Sequence, residues 1–259
     1  MKLKYNGHLL THNGQVLDGD RQPPNPVLHW TFNNTLTDQV QGVTFTTDTG
    51  LTPNYVSGKA GNCIQLGFDA SVRLLNSTDS AILDVFGANN SFTMSYWTYT
   101  SSTQYGDPWP TTGGLDVGAV IGLEQGSLGL STGTHVFSTP YPVPGRFRAN
   151  RYYSTFLNDG PSEWHPSFNT WYFVVLMYDG DTDLFSGYVN NGAITLDPST
   201  IISTGSLSAG NNFELESRRG FWQLHYYYGA MSYFDELRLY NTTLNEDERA
   251  YLWNGGSGI

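Results

Sequence analysis

The sequence predicts an all-β fold, two packed antiparallel sheets arranged as a sandwich or jelly roll. Three observations predict it. Short runs of β-branched and aromatic residues recur along the chain, separated by clusters of Gly, Asn, Asp and Pro. Aromatic residues make up 15% of the 259 positions and charged residues only 14%, with 29 Gly and 12 Pro; frequent turns and a neutral polar surface suit strands. One stretch alone, near the C-terminus, carries the start and stop signals of a helix. Roughly twelve short strands with one helix is the spacing of a sandwich.

In chain order, residues 1–26 read as a separate element. Asn6-Gly7 and Asn13-Gly14 are strong two-residue hairpin signals, and the polar, Pro-rich run from Asp18 to Pro26 reads as a stiff linker. So small a ribbon buries little by itself. It is either an attachment tag or a hairpin folded back on its own domain. Strands follow over 27–32, 43–47, 60–67, 71–75 and 91–100, and 115–123 alternates Leu115, Val117, Ala119, Ile121 and Leu123 with smaller residues. The run WYFVVLMYD over 171–179 is apolar on both faces, as in a strand buried twice or one at a subunit interface. Asn190-Asn191-Gly192 marks a hairpin turn after a strand over 184–189. The last strand, 230–240, places Asp235 by simple alternation in a row with Met231, Tyr233, Leu237 and Leu239. A carboxylate in an apolar row is costly unless paired, hydrogen-bonded or bound to metal. Asn245 with Glu248 three positions on fits a capping box, and Gly255-Gly256 offers a stop.

Composition excludes several functions. Net charge is −11, from 12 basic and 23 acidic residues, so no nucleic-acid partner is expected. No apolar run approaches the ~20 residues of a membrane span, and the N-terminal residues lack a signal-peptide apolar core, so neither membrane insertion nor export by the usual route is expected. Cys63 is the single cysteine; it reads as a buried strand thiol. Nucleophile, zinc-protease and phosphate-loop motifs are absent from the sequence.

The segments HWTFNNTLTD (29–38), SGKAGNCIQLG (57–67), SFTMSYW (91–97), WYFVVLMYDGDTDLFSGYVNNG (171–192) and MSYFDELRLYNTTLNEDERAYLWN (231–254) together resemble the laminin-G-like, or concanavalin A-like, jelly-roll family, over about residues 27–254. The resemblance implies a two-sheet antiparallel jelly-roll sandwich over 27–259, with a short C-terminal helix and the small N-terminal hairpin extension beside it. It further implies a structural calcium (Ca2+), with Asp235 as the carboxylate and carbonyls near Asn33 and Gly61. An Asp that caps local backbone amides or pairs with Arg explains the same residue without metal.

Some proteins of this fold cleave polysaccharides, and Glu214 and Glu216 are glutamates at the matching spacing; a pair of this kind is common on plain strands. Three polar loops, 100–114, 138–169 and 217–229, carry the residues expected to bind ligand: Tyr105, Trp109, Arg148, Tyr152, Trp164, Arg219, Trp222 and Tyr227. Such residues stack on sugars and bind hydroxyls, but also build protein interfaces or satellite cores. The expectation is a non-enzymatic surface or fibre-like protein of a bacteriophage virion. Its jelly-roll head would adhere to cell-surface glycans, residues 1–26 would join it to other virion proteins, and homo-oligomers are expected. A structural decoration subunit and a polysaccharide hydrolase are the alternatives.

Overall fold

A computed structural model describes residues 22–47, 52–66, 80–85, 90–104, 169–182, 184–194 and 230–259, and the strands over 4–16, 73–76, 115–150 and 213–226. Two hairpins come first, β1 (Lys4–Tyr5) with β2 (His8–Leu9) and β3 (Thr11–His12) with β4 (Gln15–Val16). Their registers set Tyr5 opposite His8 and His12 opposite Gln15; the predicted turn residues Asn6-Gly7 and Asn13-Gly14 lie outside the described residues.

The domain continues with β5 (Leu28–Trp30), β6 (Thr46–Thr47), β7 (Asn54–Ser57), β8 (Asn62–Leu66), β9 (Arg73–Asn76) and a one-turn helix α1 (Ser80–Val85). Next come β10 (Phe92–Gln104), β11 (Leu115–Leu123), β12 (Ser131–Ser138) and β13 (Arg146–Asn150). They are followed by β14 (Trp171–Asp179), β15 (Leu184–Val189), β16 (Gly192–Ile194) and β17 (Phe213–Arg219). The set closes with β18 (Phe221–Trp222), β19 (His225–Tyr226), β20 (Ala230–Tyr240) and helix α2 (Glu246–Trp253). Two antiparallel sheets result. The larger has eight strands in the order β16-β15-β14-β10-β20-β8-β7, with β5 also on β20; the other has six, β13-β12-β11-β17-β9-β6.

The core follows from strand alternation. The inner face of the eight-stranded sheet contributes Leu28, Trp30, Ile64, Leu66, Met94, Tyr96, Val174, Leu176, Phe234, Leu237 and Leu239, and Phe45, beside β6, joins them. The outer face is also apolar on β14, because a second cluster sits there. Phe173, Val175 and Met177 pack with Trp97, Tyr240, Leu244 and Leu252 of α2. This accounts for the doubly apolar run at 171–179: the chain's own C-terminal helix packs on the second face. The helix starts as its sequence predicts, with a complete Asn245–Glu248 capping box. Its stop differs by one residue: Asn254 itself adopts the left-handed conformation (φ 49°) ahead of Gly255. Asn190 and Asn191 also have positive φ, the geometry that the β15–β16 hairpin turn requires.

One predicted alternation fails. Trp97 pairs with Asp235 and Ser95 with Arg238, so Tyr96 alone faces both Glu236 and Leu237. Glu236, at φ 53°, is the extra residue of a β-bulge. The bulge shifts the alternation: Phe234, Leu237 and Leu239 point into the core, while Tyr233 and Asp235 lie on the outer face with Trp97. Asp235 therefore does not share a row with Leu237 and Leu239.

Candidate functional site

At the bulge β20 also changes partner. Before it, Ser232, Tyr233 and Phe234 pair with β8; after it, Leu237, Arg238 and Leu239 pair with β5. The corner between them is filled by the turn joining β7 to β8 and by Asn33. Asp235 is fully buried. Its Oδ2 accepts the amides of Lys59 at 2.7 Å and Ala60 at 2.8 Å. Asn33 Oδ1 accepts the Asn62 amide at 2.6 Å, Asn33 Nδ2 donates to the Ala60 carbonyl at 3.4 Å, and the Gly61 carbonyl accepts the Gly58 amide at 2.8 Å. Gly58 is required: a Cβ there would stand 2.6 Å from Asp235 Oδ2. Gly61 has φ 90°, a conformation that glycine adopts without strain.

The three residues singled out for calcium thus meet at one corner, and the amide-capping role foreseen as the alternative is made. Asp235 Oδ1 is buried and has no hydrogen-bond partner. Burial, with the neighbouring Glu236 charge adding, pushes the Asp235 carboxyl up to about 7, although the backbone amides of Ala60, Lys59 and Glu236 oppose this. These atoms fit a cation through Oδ1, since calcium takes oxygen ligands that include carbonyls and a carbonyl keeps a second lone pair. No cluster of three His, Cys, Asp or Glu residues surrounds it among the described residues. Behind the corner, Glu236 receives His29 Nε2 at 2.7 Å and Arg238 Nη2, and the same Nη2 donates to the Ile259 carbonyl at 2.8 Å. Cys63 is buried and free, its thiol pushed up to about 12 by burial first and Asp235 second.

A second feature lies on the outer face of the same sheet. Trp171 pairs with Tyr99, Tyr99 with Tyr233, Tyr233 with Gln65 and Gln65 with Asn54. One row thus crosses β14, β10, β20, β8 and β7, about 19 Å at ordinary strand spacing. Tyr99 and Trp171 are tilted at 5.5 Å between centroids, and Tyr99 and Tyr233 meet edge to face at 5.1 Å. The amides hold this row: Gln65 Nε2 donates to Tyr233 Oη at 3.1 Å, Asn54 Nδ2 donates to Gln65 Oε1, and Tyr99 Oη bonds Asn169 Oδ1 at 3.2 Å. The three rings are half-buried and Asn54 and Asn169 exposed. Two residues along each strand the row is closed: Trp97 and Phe173 are buried, and Lys59 Nζ stands 4.7 Å over the Trp97 ring. The row is therefore the place where the aromatic outer face emerges from under the C-terminal segment. Sequence reading missed it because each residue belongs to a different strand; only the register joins them.

The residues predicted to bind ligand separate differently. Tyr105, Trp109, Tyr152, Trp164 and Tyr227 lie outside the described residues, although Tyr105 directly follows β10. Arg148, Arg219 and Trp222 are not in loops: they stand in β13, β17 and β18. Glu214 and Glu216 are two apart on β17, with Glu216 opposite Arg73 and Glu214 opposite Leu75, a cross-strand pairing of opposite charges that suits a plain strand.

No protein-family model and no curated protein matches the sequence. Solved structures do match, at identities that show the fold alone. The binding domain of Paraclostridial Mosquitocidal Protein 1 matches with a TM-score of 0.55 and 15% identity, over 88% of this chain and 51% of that one. Domain 4 of AbnA, an extracellular arabinanase from Geobacillus stearothermophilus solved with arabinotriose, matches with 0.54 and 15%, over 87% and 97%. The sialidase of Trypanosoma rangeli matches with 0.55 and 14%, over 90% and 33%. The chain thus spans about half of the toxin domain, a third of the sialidase and nearly all of the arabinanase domain. The fold is an antiparallel jelly-roll-like sandwich.

Proposed function

We propose that this chain is a non-catalytic glycan-binding head that holds a neutral sugar chain along the row Trp171–Tyr99–Tyr233–Gln65–Asn54. That row carries the reading. Half-buried rings offer apolar faces to the C–H faces of sugars, and side-chain amides offer both donors and acceptors to hydroxyls. The rings are already fixed by packing and hydrogen bonds, so little side-chain freedom is lost on binding. Fold likeness to domain 4 of the arabinanase, solved with arabinotriose, adds support and suggests a first probe.

A glycan array that includes arabino-oligosaccharides, probed with the full chain, tests the proposal. At least one neutral class is expected to bind, and Trp171→Ala and Tyr233→Ala, each with an unchanged thermal transition, to weaken it tenfold or more. No signal on the array, together with self-association in light scattering, would replace this reading with that of a structural subunit.

Two finer parts belong to the same proposal. The head is displayed on a bacteriophage virion and joined to it through residues 1–26; the paired Asn-Gly hairpins and the Pro-rich linker support this. Antibody against the hairpins should label disrupted but not intact particles. The Asp235 corner holds a structural calcium, supported by the buried, unpartnered Oδ1.

A further inference from the structure

We propose that the outward face of the six-stranded sheet is a second binding site, for a carboxylate-bearing polysaccharide, centred on Arg146 and Arg148. The inference does not rest on the aromatic row, which lies on the other sheet.

Register fixes which face is outward. Phe45 is buried in the core and Thr46, next to it, is exposed. Thr46 pairs with Leu75, Leu75 with Glu214, Glu214 with Gly122, Gly122 with Ser131 and Ser131 with Asn150. Residues directly opposite in a sheet share a face, and so do residues two apart on a strand. The outward face therefore carries two more rows. One is Arg73–Glu216–Val120–Gly133–Arg148, the other Arg218–Gly118–His135–Arg146. The opposite face takes Leu74, Leu215, Ile121, Phe213, Leu123, Val117, Val136 and Phe147, with Asn76, Ser217, Thr132, Thr134 and Arg219 among them, a mostly apolar set.

Four of the nine arginines thus stand on one face of a chain whose net charge is −11. They are not equivalent. Arg73 is directly opposite Glu216, and Arg218 is two residues from Glu216 on the same strand, so acidic positions neighbour both. Arg146 and Arg148, on the edge strand β13, have His135 and Gly133 directly opposite, and the acidic position in their rows, Glu216, stands three strands away on β17. Between β13 and β17, about 14 Å apart at ordinary strand spacing, two of the four positions in these rows are glycines, Gly133 and Gly118, and the other two are Val120 and His135.

This pattern selects the ligand. A guanidinium matches a carboxylate with two parallel hydrogen bonds. Asp116, Glu214 and Glu216 share the face and repel a densely charged polymer such as nucleic acid, as does the chain's overall charge. A polymer with carboxylates spaced by sugar rings would offer its anions to Arg146 and Arg148 and run its uncharged rings across the rows between β13 and β17.

Titrating the full chain with polygalacturonate, dextran and dextran sulfate tests the inference. Polygalacturonate is expected to bind and dextran not to. The pair Arg146→Gln, Arg148→Gln should weaken polygalacturonate at least tenfold, while Trp171→Ala leaves it unchanged. Arg146→Lys with Arg148→Lys guards against misfolding, and should still lose several-fold because an ammonium cannot make the paired bonds. Equal affinity of the Lys pair, wild-type affinity of the Gln pair, or dextran sulfate binding more tightly than polygalacturonate overturns the proposal. Loss of neutral-sugar binding in Trp171→Ala bears on the aromatic row alone.

Discussion

Asp235 accepts the backbone amide of Lys59 at 2.7 Å across 176 positions of sequence. That bond, with its twin from Ala60, fixes the β7–β8 turn where β20 exchanges one partner strand for another. Asp235→Ala should leave two amides without their acceptor and a void at the corner. Hydrogen bonds to charged groups are worth about 1.5–3 kcal/mol each and orphaned buried groups cost similar amounts, so a loss of about 3 kcal/mol is expected. Urea unfolding checks it; a midpoint within 0.2 M (roughly 0.4 kcal/mol at an ordinary slope) of the parent would contradict this role.

The same carboxyl predicts a pH dependence. Burial raises it to about 7 from an ordinary 3.8, so the folded state binds the proton more tightly than the unfolded one. The stabilisation is complete below about pH 4 and is lost as pH rises through about 7, with a slope approaching 1.4 kcal/mol per pH unit at most. Measured in EDTA, the urea midpoint should fall between pH 4 and 8 by more in the parent than in Asp235→Asn. Parallel profiles would refute the assignment.

The calcium proposed for this corner would act in the opposite sense. An ion on Oδ1 needs the ionised carboxylate, so its affinity should rise with pH through the range where Asp235 titrates. Because the folded corner alone assembles the ligands, added calcium should raise the melting temperature by mass action, more at pH 8 than at pH 5. An EDTA-insensitive transition at pH 8 would remove calcium from the corner without affecting the amide-capping role.

The contrast between β14 and β20 shows what sequence reveals. WYFVVLMYD is legible as a twice-buried strand because its apolar residues are contiguous, and the Asn245 cap and the Asn190-Asn191-Gly192 turn are local signals that tertiary packing did not override. The bulge at Glu236 left no such trace: neither a Gly nor a Pro marks it, and period-two counting carried Asp235 to the wrong row. Arg146, Arg148, Arg218 and Arg219 looked like loop residues, because Arg, Asn, Glu and Ser interrupt the apolar pattern of β13 and β17. Non-local facts, the Trp171–Tyr99–Tyr233 row above all, exist only after five separate strands take their register.

Glu236 itself sets two effects against each other. Its left-handed backbone costs about 1 kcal/mol in a residue with a Cβ, a cost that Glu236→Gly would relieve. Its carboxylate, however, is the acceptor for both His29 and the buried Arg238, and removing one partner of a buried pair costs about 3–5 kcal/mol. Loss of the ion pair outweighs relief of the strain, so both Glu236→Ala and Glu236→Gly should destabilise by several kcal/mol, with Gly the milder by about 1 kcal/mol. Adding Arg238→Leu to Glu236→Gly removes the uncompensated charge and should recover part of the loss. If Glu236→Gly alone is as stable as the parent in urea, backbone strain rather than the ion pair governs the bulge.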